Sequence, residues 1–201
     1  MRQHLNINGA LVFPGFLDQD MQGSMLADIR NVVRAAPLFR PTTKRGQPMS
    51  VRMTAAGTFG WYSDHRGYRY ESCHPSGCAW PPIPVSVLNV WRAVSDVSET
   101  PQCCLVNFYD ANAKMGLHQD RDEARLDLPV VSISLGDDAL FRVGGTQRGG
   151  KTKSIWLKSG DVAVLVGAAR LAYHGIDRVR FGSAPLLPSG GRINLTLRVV
   201  T

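Results

Sequence analysis

The chain has 201 residues, 44% of them hydrophobic, and a formal net charge of +7. This length suits one domain, and the composition is that of an ordinary globular protein, which argues against a disordered or collagen-like chain. No apolar run approaches the roughly 20 residues that span a bilayer, so we expect a cytoplasmic protein without a membrane partner. The positive charge is compatible with an anionic partner but does not by itself identify nucleic acid.

The first elements in the chain are a strand and a helix. Leu11–Phe13 predicts a short strand, and Asp18 is a suitable N-cap for a helix over residues 19–35. Pro37 ends that helix. Its apolar stripe, which we expect to face the core, consists of Met21, Met25, Ile29 and Val32.

Residues 41–84 are rich in glycine, proline, arginine and aromatic residues. The alternation of Tyr68, Arg69 and Tyr70 suits a hairpin that shows aromatic faces and a guanidinium to one neighbourhood, as base stacking and phosphate contact require. A surface hairpin with half-buried aromatic side chains explains the pattern equally well. Cys73, His74 and Cys78 suggest a zinc site as a minor alternative, because a second Cys/His pair at finger spacing is lacking.

After a proline-rich connector, a second amphipathic helix is predicted from Ser86 to about Ser98. From Cys103 onward, short apolar strands alternate with glycine turns, which is typical of a sandwich or jelly roll. The predicted strands are Cys103–Tyr109, Pro129–Leu135, Leu140–Val143, Ser154–Leu157, Val162–Val166 and Gly191–Val200. The adjacent thiols of Cys103 and Cys104 lie in an apolar run and are expected to be buried, without a disulfide framework.

His118 and Asp120 are the first candidate site residues. On an extended backbone, residues two apart point to the same face, so this imidazole and this carboxylate lie side by side. One further histidine would complete a two-histidine, one-carboxylate face of the kind that non-haem Fe(II) oxygenases use. His174 is the only histidine downstream. The simpler explanation of His118 and Asp120 is an ordinary surface strand. The simpler explanation of His174 is a turn histidine that is bonded to the backbone.

In the last strand, from Arg192 to Arg198, polar and apolar residues alternate strictly. The even positions are Arg, Asn, Thr and Arg, and the odd positions are apolar. If the polar face looked into the fold, its guanidiniums could clamp a small dicarboxylate bidentately. If it looked at solvent, it would be an ordinary edge strand, which alternation alone favours.

These motifs together resemble the AlkB family of Fe(II)- and 2-oxoglutarate-dependent dioxygenases. The resemblance runs from about residue 11 to the C-terminus. It rests on the segments N-F-Y, H-Q-D-R-D-E, P-V-V-S-I-S-L-G, Y-H-G-I and R-I-N-L-T-L-R, with P-M-S-V-R-M-T and G-Y-R-Y upstream. It implies an α+β, predominantly β fold: a double-stranded β-helix, or jelly roll, supported by N-terminal helices. The whole chain, 1–201, would be one domain, with substrate-recognition hairpins at about 41–84 and the jelly-roll core at about 103–200.

The resemblance also implies a role for each site residue. His118, Asp120 and His174 would hold Fe(II), with O2 and 2-oxoglutarate as cosubstrates. The residues implied to bind 2-oxoglutarate are Asn107, Tyr109, Met115, Arg192, Asn194 and Arg198. Arg192, helped by Tyr109, would take the distal carboxylate, whereas Met115 stands where the family commonly shows leucine. The residues implied to contact the damaged base or the nucleic acid are Trp61, Tyr68, Asp122 and Arg148.

The implied reaction is oxidative dealkylation of N-alkylated bases such as 1-methyladenine and 3-methylcytosine. It converts 2-oxoglutarate to succinate and CO2 and releases formaldehyde. The implied partner is alkylated single-stranded DNA, with duplex DNA and RNA as further candidates, and a monomer is expected. A related hydroxylase or demethylase acting on protein or a small metabolite, and a catalytically silent metal binder, are the alternatives.

Overall fold

The computed structural model describes residues 3–201, which form antiparallel β-strands and two α-helices. The helices are α1 (Gln19–Ala35) and α2 (Val85–Val94), and a short 3-10 helix covers Gly167–Ala169. The strands are β1 (Leu5–Ile7), β2 (Ala10–Phe13), β3 (Arg52–Gly57), β4 (Gly60–Asp64), β5 (Gly67–Glu71), β6 (Cys103–Tyr109), β7 (Met115–His118), β8 (Val130–Gly136), β9 (Asp138–Val143), β10 (Lys153–Leu157), β11 (Val162–Leu165), β12 (His174–Arg180) and β13 (Arg192–Arg198).

Two sheets pack face to face. The larger has the order β1-β2-β11-β8-β13-β6-β3, and the smaller has the order β10-β9-β12-β7. Apolar side chains from both sheets, such as Leu105 and Phe141, form one core cluster between them. This arrangement is a double-stranded β-helix, or jelly roll, as the sequence predicts.

The helices cover the outer face of the larger sheet. The odd-numbered side chains of β13 pack against Met25 and Ile29 of α1 and Trp91 of α2 in a second core cluster. Because successive side chains of a strand point to opposite faces, the even-numbered side chains of β13 are directed between the two sheets. All seven residues of β13 are buried, so the expectation of a solvent-facing edge strand is wrong.

The helix predictions are confirmed, with two corrections. Asp18 caps α1 by accepting a hydrogen bond from the Met21 N–H, but Met21 itself is 40% exposed and lies outside the apolar stripe. The second helix ends at Val94 and not near Ser98. Asp96 adopts φ of +53°, a left-handed conformation that cannot continue a right-handed helix.

Four strands were not predicted as such: β1, β3, β7 and β12. The residues of β3 carry no apolar alternation, because most of them are buried on both faces. In β12 the register shifts between Ile176 and Val179, which breaks the two-residue period that a sequence pattern would show. Strand formation in these segments therefore depends on pairing with distant neighbours.

The predicted hairpin is present as β4 and β5, with Trp61 directly opposite Tyr70. Arg69 lies on the face opposite to Tyr68 and Tyr70, with its guanidinium over the Tyr62 ring. There it forms an ion pair with Asp64 at 2.8 Å. The expectation that Arg69 shares a neighbourhood with the two tyrosines is therefore wrong. Its side chain lies on the other face, and Asp64 neutralises its charge within the hairpin.

Cys103 and Cys104 are buried free thiols, as predicted from the sequence. Within residues 3–201 no helix combines the length and the apolarity needed to cross a membrane.

Candidate functional site

The two candidate histidines meet across a pair of neighbouring strands. His118 ends β7, His174 begins β12, and the two residues are directly paired in the antiparallel register. Asp120 follows two residues after β7. One possible ligand atom from each of the three residues lies within 4.8 Å of the others, so the structure brings these three residues together. Among the described residues this is the only such group, and the Cys73/His74/Cys78 alternative does not form one.

Both imidazoles are oriented by their own backbone surroundings. The Nδ1 atom of His118 bonds to the Gly116 carbonyl at 3.0 Å, and that of His174 bonds to the Ala172 carbonyl at 2.9 Å. A carbonyl only accepts, so Nδ1 carries the proton and the Nε2 lone pair is left for a ligand. The Nε2 atoms lie 3.6 and 3.8 Å from the Asp120 carboxylate oxygens.

The protonation states suit metal binding. Burial lowers the pKa of His174 to about 4, so that imidazole is neutral at physiological pH. Burial acts to raise the pKa of Asp120, but the charge and the hydrogen bond of Arg198, together with the two neighbouring histidines, outweigh it and hold that pKa well below its ordinary value. His174 therefore offers a neutral nitrogen and Asp120 an ionised oxygen.

Gly175 allows the two strands to approach at this point. A Cβ atom at residue 175 would lie 2.5 Å from the Met115 carbonyl oxygen and 2.8 Å from that of Gly116. Real Cβ atoms do not reach such distances, so any other residue would push β12 away from β7. The glycine after His174 thus preserves the apposition of the two histidines.

The site opens into a cavity of about 400 Å³ between the sheets. The wall includes all the candidate metal ligands and all the residues implied to bind 2-oxoglutarate. The wall residues among the candidates are Trp61, Tyr68, Asn107, Tyr109, Met115, His118, Asp120, Asp122, His174, Arg192, Asn194 and Arg198.

The polar face of β13 supplies two buried guanidiniums to this wall. Arg192 is 0% exposed; its Nη2 donates to the Ser134 hydroxyl at 2.8 Å, whereas its Nε has no partner among the described residues. Arg198 donates to Asp120, but its Nη1 likewise has no partner there. Buried donors of a charged group are rarely left unpaired. Two such donors in one cavity indicate a place for an anion with more than one acceptor.

Amide and aromatic side chains complete this part of the wall. Asn107 and Asn194 lie opposite each other in β6 and β13, and the Asn107 amide donates to the Asn194 oxygen at 3.4 Å. The Tyr109 hydroxyl lies 3.7 Å from the Met115 sulfur. Burial raises the pKa of Tyr109, which therefore remains a neutral donor.

Aromatic rings stand at the mouth of the cavity. The Trp61 and Tyr68 rings lie 5.3 Å apart between centroids and are tilted by 30°. The Trp61 indole N–H donates to an Asp122 carboxylate oxygen at 3.1 Å. Tyr68 is 53% exposed. Two π faces and a carboxylate are thus presented at the entrance.

Arg148 is the one candidate that does not line the cavity. It lies in the exposed segment 145–151, between β9 and β10. Its position fits contact with an extended partner rather than with a small ligand in the cavity.

Two buried residues of this region were missed by the sequence reasoning: Glu123 and Arg170. They form an ion pair of 3.0 Å. Arg170 donates to the Asp120 carbonyl, and Glu123 lies beside Arg198, which bonds to the Asp120 carboxylate. Glu123 stands within the H-Q-D-R-D-E motif and could have been suspected, because a carboxylate close to a metal ligand is a typical orienting group. Arg170 carried no local signal.

The donor set fits a divalent first-row metal ion. Two imidazoles and one carboxylate on a single face leave further coordination positions for other ligands, an arrangement typical of non-haem Fe(II) sites. The cavity beside it offers paired guanidiniums for a carboxylate ligand.

Comparison with known proteins agrees with this donor set. Residues 9–198 match the model of the 2OG-Fe(II) oxygenase superfamily. The chain is 51% identical over 193 residues to an alpha-ketoglutarate-dependent dioxygenase AlkB homolog of Caulobacter vibrioides, covering 96% of this chain and 88% of the relative. It is 38% identical over 179 residues to alpha-ketoglutarate-dependent dioxygenase AlkB of Escherichia coli, covering 87% and 82%.

A solved structure has a similar fold. The structure of OsALKBH1 superimposes with a TM-score of 0.81 at 32% sequence identity, covering 98% of this chain and 99% of that chain. The likeness therefore extends over the helices, the hairpin and both sheets.

Proposed function

The chain belongs to the AlkB family of the 2OG-Fe(II) oxygenases, and from that premise we propose that it repairs N-alkylated bases in nucleic acid by oxidative dealkylation. It is an Fe(II)- and 2-oxoglutarate-dependent dioxygenase, with O2 as second cosubstrate. The proposed substrates are 1-methyladenine and 3-methylcytosine, converted to the unmodified bases with release of formaldehyde.

One observation carries the proposal: the metal-ligand group and the aromatic entrance share one cavity. Trp61, Tyr68 and Asp122 lie on the same wall as His118 and His174. A flipped-out base held at the entrance would have its edge directed toward the metal ligands. An enzyme for a small metabolite has no need of two π faces at the mouth.

The geometry of the cavity supports a role for each metal-binding and cosubstrate-binding residue. We assign Fe(II) to His118, Asp120 and His174; with 2-oxoglutarate and O2 bound, the metal supplies the oxidising power for hydroxylation of the alkyl carbon. Arg192 and Tyr109 would donate to the distal carboxylate of 2-oxoglutarate. Arg198, Asn194 and Asn107 would orient the oxoacid end, and Met115 would form an apolar wall.

The roles at the entrance follow from the charge of the lesion. Methylation at these ring nitrogens makes the base cationic, and a cation is attracted to the face of an indole or phenol ring. The Asp122 carboxylate adds a second attraction. Its hydrogen bond to Trp61 holds the indole at the edge of the cavity, ready for stacking. Arg148, on its exposed segment, would contact a phosphate.

Nucleic acid is the partner that the relatives' names support. Matches include proteins named DNA N(6)-methyladenine demethylase of Arabidopsis thaliana and tRNA demethylase of Schizosaccharomyces pombe. We propose single-stranded DNA as the main substrate, because an unpaired base needs the least energy to enter the cavity. RNA is the second substrate to be tested.

A formaldehyde-release assay tests the proposal. Single-stranded DNA and RNA oligonucleotides carrying 1-methyladenine or 3-methylcytosine would be incubated with enzyme, Fe(II), 2-oxoglutarate and O2, with unmethylated oligonucleotides as controls. We expect formaldehyde and unmodified base only from the methylated strands. Turnover of 2-oxoglutarate without any formaldehyde from these strands would instead support a protein or a metabolite as substrate.

A further inference from the structure

Arg170 is a buried arginine that no part of the proposed reaction uses. It is 3% exposed and donates three hydrogen bonds: from Nε to the Leu128 carbonyl at 2.6 Å, from Nη1 to the Asp120 carbonyl at 2.6 Å, and from Nη2 to a Glu123 carboxylate oxygen at 3.0 Å. Burying a guanidinium is costly unless its donors are satisfied. Its partners therefore indicate what this residue does.

Glu123 lies at the centre of these contacts. It is 6% exposed; one carboxylate oxygen accepts from Arg170, and the other lies 3.3 Å from Nε of Arg198. That second oxygen also accepts from the Tyr70 hydroxyl. Arg198 in turn donates from Nη2 to the Asp120 carboxylate at 2.9 Å.

These contacts close into a loop that starts and ends on Asp120, which we call the Asp120 cycle. It runs from the Asp120 carboxylate to Arg198, then to Glu123, then to Arg170, and back to the Asp120 carbonyl. We propose that Glu123 and Arg170 are positioning residues, which hold Asp120 through this cycle in the orientation required of a metal ligand. This inference rests on the role proposed for Asp120 as a metal ligand.

Asp120 needs these additional contacts because of its position in the chain. His118 and His174 lie within paired strands, whereas Asp120 lies beyond the end of β7, outside the ladder. The Asp120 cycle fixes both its backbone carbonyl and its carboxylate, so it replaces the constraint that a strand would provide. Outer contacts of this kind orient ligating carboxylates and tune metal affinity.

The cycle is also balanced in charge. It contains two carboxylates and two guanidiniums, all buried. Substituting one member leaves an uncompensated buried charge that the others must accommodate by moving. Nε and Nη2 of Arg198 both donate to the Asp120 carboxylate, and Glu123 lies 3.3 Å from the same Nε, whereas Nη1 has no partner among the described residues.

Tyr70 connects the Asp120 cycle to the hairpin. In the β4–β5 register it stands directly opposite Trp61. Its hydroxyl bond to Glu123 thus joins the strand pair that carries Trp61 to the residues that hold Asp120. Removing that hydroxyl alone should loosen Glu123 without changing any charge.

Metal titration tests the proposal without turnover. The purified full chain would be titrated with Mn(II), in place of Fe(II), by isothermal calorimetry, for the parent and for Glu123→Gln, Arg170→Lys and Tyr70→Phe. We expect Mn(II) affinity to fall by about 10- to 100-fold in the first two variants, the range typical for outer contacts of metal ligands. In Tyr70→Phe we expect a several-fold fall.

A matched control separates positioning from stability. The Thr54 hydroxyl is fully buried and donates to the Ala36 carbonyl at 2.7 Å, away from the cavity. Thr54→Val, like Tyr70→Phe, loses one buried hydroxyl donor, and it should lower the melting temperature but leave the Mn(II) affinity unchanged.

The outcomes distinguish this inference from the proposed function. If Asp120→Ala binds Mn(II) as the parent does, the metal site itself is misassigned, and the inference falls with it. If Asp120→Ala loses Mn(II) while folded Glu123→Gln and Tyr70→Phe keep the parent affinity, only the Asp120 cycle is refuted. Should Arg170→Lys fail to fold, the other two variants still decide the matter.

Discussion

The His118 and His174 rings lie with their centroids 4.5 Å apart, on residues that pair directly across β7 and β12. Their Nε2 atoms approach Asp120 while their Nδ1 atoms are bonded to backbone carbonyls. The spacing of the ligands is thus built into the strand register, and only the carboxylate depends on a segment outside the sheet. That difference makes Asp120 the most informative ligand to change.

Asp120→Ala is expected to abolish iron-dependent turnover. It removes the only anionic ligand of the group, and two imidazoles alone bind Fe(II) weakly. It also removes one of the two carboxylate partners of Arg198, so some loss of stability is expected. The measurement is succinate formation at equal protein and iron, with circular dichroism as the check of folding. Parent-level turnover in the folded variant would remove this residue from the metal site.

Arg192→Ala is expected to raise the apparent KM for 2-oxoglutarate by about 30-fold or more. Leaving one member of a desolvated charge pair unpaired costs about 2–5 kcal/mol, and each 1.4 kcal/mol is a factor of ten. The KM for the methylated oligonucleotide should change far less, since Arg192 is 0% exposed and lies on β13, away from the entrance. The KM values would be obtained from succinate release, with each substrate varied in turn. An unchanged 2-oxoglutarate KM would contradict the role of Arg192.

Asp18→Ala is expected to lower the free energy of unfolding by about 1 kcal/mol, the usual value of an N-cap. The Asp18 carboxylate accepts from the Met21 N–H at 2.8 Å, on the outer side of the larger sheet. Urea denaturation would measure the change. Asp18→Asn is the control, because asparagine caps equally well, and both variants should keep the parent turnover per folded molecule.

Much of this architecture was predictable, because local signals agreed with the final fold. The cap at Asp18, the helix that follows and strand β6 have the predicted bounds. Alternation in β13 identified its two faces correctly, but not which face was turned inward. That depends on the second sheet, in which the sequences of strands β7 and β12 show no sustained two-residue alternation of apolar side chains. The resemblance to a family, and not the pattern itself, supplied the right answer.

The polar face of β13 was predictable from its alternation, whereas the contacts of Arg170 were not. Arg192, Asn194 and Arg198 occupy even positions of one strand, so their common direction followed from the two-residue period. Arg170 follows the short 3-10 helix and meets Glu123 only through the tertiary fold. No spacing rule connects these two residues, and their partnership appears only in three dimensions.

Oligonucleotide affinity is expected to fall steeply with salt, with log K decreasing linearly in log[salt]. The protein carries a net charge of +7, and each phosphate contact adds to the slope. Arg148→Ala should reduce the slope by about one contact. Arg34→Ala, exposed at the end of α1, is the charge-matched control and should leave it unchanged. Fluorescence anisotropy at several salt concentrations provides the slopes, and a flat profile for the parent would argue against a nucleic-acid partner.

Trp61→Ala is the prediction that separates the nucleic-acid function from its alternatives. The indole lies against Tyr68 and donates to Asp122 at the cavity mouth, and among the described residues it forms no hydrogen bond or ring pair with a metal ligand. Stacking on a base contributes about 1–3 kcal/mol, with an additional cation–π attraction when the base is methylated and positive. At 1.4 kcal/mol per factor of ten, kcat/KM for methylated single strands should fall about 10- to 100-fold.

The rate of 2-oxoglutarate consumption without oligonucleotide should remain that of the parent, because neither the metal ligands nor the arginines are altered. Trp61→Phe keeps a π face but loses the N–H that bonds to Asp122, so an intermediate loss is expected from it. Both rates would be measured on the same protein preparations. If folded Trp61→Ala repairs methylated oligonucleotides at the parent rate, Trp61 does not bind the lesion. The assignments of His118, Asp120 and His174 would be unaffected by that result, because they depend on contacts that this substitution leaves in place.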